Sequence, residues 1–183
     1  IGLTATLVRE DGKETEVFSL IGPKKYDIPW RVLESQGWIA KAECNEIRIP
    51  MNAELKMKYA LASVREKITI ASTNPEKTDI VKRLLGYYAK ETDRILIIGQ
   101  YIEQLTALSE ELNIPLITGK TPNKERDVLY DAFRKGSLKN LMISKVGNFA
   151  IDLPDANVLI QISGTFGSRR NRKSKAVREM LWN

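Results

Sequence analysis

Residues 141–170 read LMISKVGNFAIDLPDANVLIQISGTFGSRR. Leu141 to Ser144 and Val158 to Ile162 are short apolar runs bounded by turn residues, the pattern of strands buried on both faces in an α/β sheet. Between them Ser144-Lys145, Gly147-Asn148 and Asp152 stand where the first strand ends. Open α/β sheets bind ligands just outside the carboxyl ends of their strands, so a hydroxyl and a carboxylate are offered there to a phosphate or nucleotide. Gly147 permits close backbone approach. On the residues alone blander readings stand ahead: Asp152 caps a turn before Leu153-Pro154, and Ser144 satisfies a strand end.

Working outward, the same alternation recurs. Ile95 to Ile98 is a buried strand ending at Gly99, followed by an amphipathic helix over Tyr101 to Leu112. Ile114 to Ile117 is a strand, and Asn123 to Phe133 is a helix. Thr73-Asn74-Pro75-Glu76 opens a helix running to about Lys90, with Ile80, Leu84, Leu85 and Tyr88 as its buried stripe. Asn52 offers an N-cap for a helix from Ala53 to about Arg65, with Leu55, Tyr59 and Ala62 on one face. Strand and helix in alternation predict an α/β fold with a parallel sheet flanked by helices.

The first fifty residues are less regular. Gly2 to Val8 reads as a strand entering a turn at Asp11-Gly12, and a strand so close to the start suggests a piece of a longer chain. Val17 to Ile21 is an apolar run closed by Gly22-Pro23, and Trp30 to Gln36 is a short helix ended by Gly37. Trp38 to Ile49 alternates with one change of phase, the pattern of one long strand with a bulge.

The 183 residues suffice for one core without staples, with 43% apolar and 28% charged residues. No run approaches the ~20 apolar residues of a spanning helix, and no signal peptide is visible. A single cysteine, Cys44, and no histidine exclude an internal disulfide, Cys-His catalysis and a His-based zinc site. The lone thiol suits a reducing cytoplasm. Net charge is +6, which favours polyanions such as nucleic acid. Much of the excess sits in Arg169, Arg170, Arg172, Lys173, Lys175 and Arg178, a run that reads equally well as a solvated tail.

Thr118-Gly119-Lys120-Thr121 ends like a phosphate-binding P-loop but fails the signature. A glycine is needed five positions before Gly119, and Ile114 stands there inside a strand. ATP binding by this loop alone is therefore rejected. Its amides and the Thr121 hydroxyl still suit a nucleic-acid phosphate, and an ordinary turn capping the Asn123 helix fits equally well.

Several of these segments together resemble one family. S-K-V-G-N-F-A-I-D-L-P from Ser144, followed by D-A-N-V-L-I-Q-I-S and Gly167-Ser168-Arg169, resembles the fifth motif and the approach to the sixth motif of XPB-type helicases, the superfamily-two DNA translocases of nucleotide excision repair and, in eukaryotes, of promoter opening. Ile1 to Asp11 resembles the third motif, and Leu20 to Lys24 the segment after it. The match is collinear from Ile1 to Arg170, and the compact linker resembles bacterial rather than archaeal members.

The resemblance implies a RecA-like second motor domain over residues 51–170. Residues 1–50 would be the end of the first motor domain and an inter-domain segment, and residues 171–183 a divergent basic tail. It implies that Thr4, Ala5 and Thr6 couple the two motor domains. Gln100, Thr121, Ser144 and Lys145, with Arg9 adding charge, would line the DNA track, and Gly147 and Asp152 would meet the nucleotide. Tyr101 reads as a helix-packing aromatic rather than a base-stacking platform. The implied partners are DNA, the first helicase domain of the same protein, and a repair nuclease or a transcription and repair complex. No membrane is among them, and the location is cytoplasmic and nucleoid-associated if the source is prokaryotic. ATP and Mg2+ would sit at the interface with the first motor domain. Since neither a P-loop nor an Asp-Glu box for magnesium is present, the chain alone is expected to bind neither and to hydrolyse no ATP. The departure comes after Arg169: the family continues to a Gly-Arg pair whose arginine reaches the γ-phosphate, and here no such pair occurs, so no arginine finger and no catalytic residue is assigned. The segment after Arg170 reads as a frame-shifted or truncated form of that motif, or as unrelated sequence. A non-catalytic nucleic-acid- or partner-binding module on the same fold is one alternative, and a different kind of α/β nucleotide-binding enzyme is another, against which the failed P-loop and the absence of a G-x-G-x-x-G fingerprint count.

Overall fold

The computed structural model describes residues 14–38, 41, 43–144, 153 and 155–164. The chain divides into two compact units, one of residues 1–46 with 167–183 and one of residues 47–166.

In the first unit two helices are described, α1 (Glu14–Ile21) and α2 (Trp30–Ser35). The apolar run Val17 to Ile21 thus lies on a helix, and Gly22, with φ of 100°, and Pro23 stop it. α2 ends as expected at Gly37, whose φ is 74°. The N–H groups of Gly37 and Trp38 donate back to the carbonyls of Glu34 and Leu33, so two of the acceptors orphaned at the helix end are satisfied. The long strand expected over residues 38–49 is corrected for its described part, since Glu43 to Ile49 forms no strand. A strand is defined by a ladder with a neighbour, and this segment takes part in none of the described ladders; Ile47 is 49% exposed.

The second unit begins with α3 (Ala53–Leu61), capped by Asn52, whose side chain accepts the Leu55 N–H at 2.8 Å. The single helix expected to run to Arg65 is two. Ala62 turns to ψ of 152°, and Ser63 starts α4 (Val64–Ser72) with a capping box. The Ser63 hydroxyl accepts the Glu66 N–H, and the Glu66 carboxylate accepts the Ser63 N–H. α5 (Glu76–Tyr87) follows, with the Asn74 side chain accepting the Glu76 N–H. Its one fully buried residue is Val81, and Leu84, Leu85 and Tyr88 pack beside it.

Among the described residues the sheet has four strands: β1 (Ile95–Ile98), β2 (Leu116–Ile117), β3 (Asn140–Ile143) and β4 (Val158–Gln161). Their order is β2-β3-β1-β4 and every pair is parallel. The expected α/β parallel sheet is therefore present. α6 (Ile102–Leu112) and α7 (Asn123–Lys135) provide the intervening crossovers. β2 is shorter than expected because Pro115 has no N–H to give the ladder, although its carbonyl still accepts from Met142. All four residues of β1 are buried, as a central parallel strand requires. Around it Val81, Leu105, Leu108, Ile114, Met142, Ile160 and Ile162 close one core, each large side chain contributing about 1.5–3 kcal/mol.

Candidate nucleic-acid and nucleotide interface

Because the strands are parallel, their carboxyl ends share one edge of the sheet. The register sets Ile98 level with Ile143 and Gln161, and Ile117 level with Ile143. The residues that follow therefore form a row in the order of the strands: Thr118 to Thr121 after β2, Ser144 after β3, Gln100 after β1, and Ser163 after β4. Gln100, Thr121 and Ser144 are thus brought to the same edge from three separate segments. Lys145, Gly147 and Asp152, and likewise Thr4, Ala5, Thr6 and Arg9, lie outside the described residues.

The loop after β2 is a closed turn. The Thr121 hydroxyl accepts the Thr118 N–H at 3.0 Å, and the Thr118 hydroxyl accepts the Lys120 N–H at 3.2 Å. Arg126, one turn into α7, donates from Nη2 to the carbonyls of Thr118 and Gly119. A hydroxyl that accepts keeps its own proton to donate. Thr121 can therefore cap this turn and still donate to a phosphate oxygen. Both readings of this loop are geometrically compatible.

At the other side of the row β1 and β4 end in close contact. The Gln100 N–H donates to the Ser163 hydroxyl at 2.8 Å, and the Ile162 N–H donates to the Ile98 carbonyl at 2.9 Å. Ser144 and Ser163 are buried. The side-chain oxygen of Gln100 is buried and accepts no hydrogen bond from the described residues; as an acceptor it does not suit a phosphate, which leaves the NH2 of the same amide for that contact. Lys77, near the start of α5, donates from Nζ to the carbonyls of Ser72 at 2.9 Å and Ile162 at 2.6 Å, and burial lowers its pKa from the ordinary lysine value. The Tyr101 and Thr69 hydroxyls lie 3.3 Å apart, so this ring tethers α4 at the start of α6, in keeping with a packing role.

Lys77, Arg126 and Ser163 were not legible as site residues. Ser163 did carry a signal, since it follows the apolar run of β4 as Ser144 follows that of β3. Lys77 and Arg126 carry none, because their partners are carbonyls of other segments. Among the described residues no group of three or more His, Cys, Asp or Glu side chains is placed to hold a metal ion. No helix among the described residues is long and apolar enough to cross a membrane.

A parallel sheet flanked by helices, with polar groups lining its carboxyl edge, is the architecture of a RecA-like α/β domain. Residues 33–179 match the ERCC3/RAD25/XPB C-terminal helicase family, and the chain belongs to that family. It is 51% identical over 175 residues to the DNA 3'-5' helicase XPB of Mycobacterium tuberculosis, covering 96% of this chain and 32% of that protein. The DNA 3'-5' helicase XPB of Kineococcus radiotolerans is 50% identical over 175 residues, with 96% and 31% covered. The general transcription and DNA repair factor IIH helicase/translocase subunit XPB of Danio rerio is 38% identical over 176 residues, with 96% and 22% covered. The chain thus spans a third or less of these relatives. The family match runs through Glu179, past the point where no Gly-Arg pair is found.

Proposed function

We propose that this chain is the C-terminal motor domain of an XPB-type, ATP-dependent 3'-5' DNA helicase or translocase that acts in nucleotide excision repair. The observation that carries the proposal is the row of Thr121, Ser144, Gln100 and Ser163 along the carboxyl edge of the parallel sheet. A row of neutral donors on strand ends grips phosphates without reading base sequence, and a chain with net charge +6 adds salt-dependent attraction to DNA.

In this reading Gln100, Thr121, Ser144 and Lys145 hold the phosphates of the tracked strand. Gly147 and Asp152 approach the nucleotide when this domain closes on the first motor domain, and Thr4, Ala5 and Thr6 pass movement between the two. ATP and Mg2+ bind between the domains, with the metal ligands and the phosphate cradle supplied by the first. Opening and closing in each cycle then moves DNA past the row. The partners are DNA, the first helicase domain, and a repair nuclease or a transcription and repair complex in the cytoplasm.

One observation favours a second reading. Residues 171–183 contain no Gly-Arg pair, so a domain that grips DNA or a partner without serving hydrolysis is the alternative. DNA-stimulated ATPase of this chain, alone and mixed with a separately made first motor domain, separates the two. Activity in the mixture alone supports the motor; salt-sensitive DNA binding with no activity in either supports the binding module.

A further inference from the structure

The exit of β4 is held from outside the sheet by a residue remote in sequence. Lys77 Nζ donates to the carbonyl of Ile162 at 2.6 Å and to that of Ser72 at 2.9 Å. Ser72 is the last residue of α4, where a helix leaves carbonyls unsatisfied and favours positive charge. Gln104, from the first turn of α6, donates its Nε2 to the same Ser72 carbonyl at 2.9 Å. One backbone oxygen thus gathers α5 and α6 at the end of α4, and the same ammonium carries that junction across to β4. Among the described residues Lys77 forms no ion pair with a carboxylate. Burying an ammonium costs desolvation, and its two contacts among the described residues are both to backbone, so what they secure is geometry.

The β1 side is built to match. Gly99 has no side chain, and a Cβ there would lie 2.9 Å from Ile162 Cγ1 and 3.1 Å from Ser163 Oγ. This close approach lets the Gln100 N–H reach the Ser163 hydroxyl at 2.8 Å. The exit of β4 is therefore pinned between Lys77 on one side and Gly99-Gln100 on the other.

We infer that Lys77 is a positioning residue, which fixes the backbone of Ile162 and Ser163 and so keeps the Ser163–Gln100 contact in register within the strand-end row. Its consequence for turnover rests on the motor-domain reading above: with the row out of register, ATP still binds between the domains but hydrolysis is no longer coupled efficiently to DNA.

Two readouts test this on Lys77→Met, which keeps the apolar stem, and on Lys77→Arg, which keeps charge and donors. Amide hydrogen exchange on the chain alone reports the geometry. In Lys77→Met the Gln100 N–H is expected to exchange at least about tenfold faster, while Leu96, Ile97 and Ile98 stay protected, and Lys77→Arg restores protection. In the mixture with the first motor domain, kcat of the DNA-stimulated ATPase is expected to fall about tenfold with KM for ATP little changed. Unchanged exchange at Gln100, or exchange rising equally throughout β1, overturns the positioning role. Raised exchange with unchanged kcat overturns the link to turnover. An inactive wild-type mixture overturns the motor reading instead, and the exchange result still decides the geometry. Should Lys77→Met fail to fold, Lys77→Gln, with a neutral donor on a shorter stem, carries the same readouts.

Discussion

Gly99 and Ile162 meet across the end of the sheet so closely that a methyl group on Gly99 would sit 2.9 Å from Ile162 Cγ1. The other neighbours of that position are Leu105 and Ser163, at 3.1 Å each. The site therefore has no slack. Gly99→Ala is expected to destabilise the domain by about 1–3 kcal/mol through overpacking. That would appear as a lower Tm by roughly 2–4 °C per kcal/mol in a calorimetric scan. A variant melting with the wild type would show that Ile162 moves aside freely.

Asn157 joins the start of β4 to the turn before β1. Its Oδ1 accepts the Arg94 N–H at 2.8 Å and its Nδ2 donates to Asp93 Oδ1 at 2.9 Å. Asp93 is buried, and its other oxygen accepts the Lys90 N–H. Removing the amide strands a buried carboxylate oxygen and a backbone donor together. Asn157→Ala should cost about 1–3 kcal/mol in denaturant unfolding, and Asn157→Asp, which sets a second carboxylate against Asp93, should cost more.

Ser63 is what makes α4 a separate helix. Ser63→Ala leaves the Glu66 N–H without its cap and should destabilise by about 1 kcal/mol, as other N-cap losses do. Amide exchange would rise first in the opening turn of α4. Equal exchange there in variant and wild type would mean that tertiary packing, not the cap, sets the boundary.

Thr121 joins turn-capping and the proposed DNA contact in one hydroxyl. Thr121→Val removes both the acceptor used by Thr118 and the donor proposed for phosphate, so affinity for duplex or single-stranded DNA should fall about threefold to tenfold. Thr121→Ser keeps both groups and should bind as the wild type does. A titration at two salt concentrations checks that the slope stays nearly constant, since no charge is removed.

The lowered pKa of Lys77 has a signed consequence for stability. Burial disfavours the ammonium in the folded chain, so between the folded pKa and the ordinary lysine value of 10.5 the unfolded chain binds more protons. Below that window both states are protonated and the folded state bears the full cost; stability contributed by this residue therefore rises with pH through the window. A neutral amine retains two N–H groups, enough for the carbonyls of Ser72 and Ile162. Relative to Lys77→Met, the wild type should gain stability on moving from neutral pH toward 10.5 in urea titrations. A constant difference over that range would contradict the burial cost.

What the sequence by itself determined is whatever depends on neighbours along the chain. The runs Ile95 to Ile98, Leu141 to Ser144 and Val158 to Ile162 announce buried strands as short apolar runs bounded by turn residues. Asn52 and Gly37 announce helix ends because capping uses atoms within a few residues. The alternation of these elements was enough for a parallel sheet, and hence for a row of polar residues at one edge containing Gln100, Thr121 and Ser144. Even local signals misled where two competed. The helical period running through Tyr59 and Ala62 hid the capping box at Ser63 and Glu66, and the alternation from Trp38 onward looked like a strand although no described segment pairs with Glu43 to Ile49. Only the tertiary structure decided that β1 lies between β3 and β4, that Gly99 must lack a side chain, and that Lys77 reaches a carbonyl 85 positions away. Periodicity and caps are short-range, whereas ladders and strand-end contacts join groups whose separation along the chain carries no information about their separation in space.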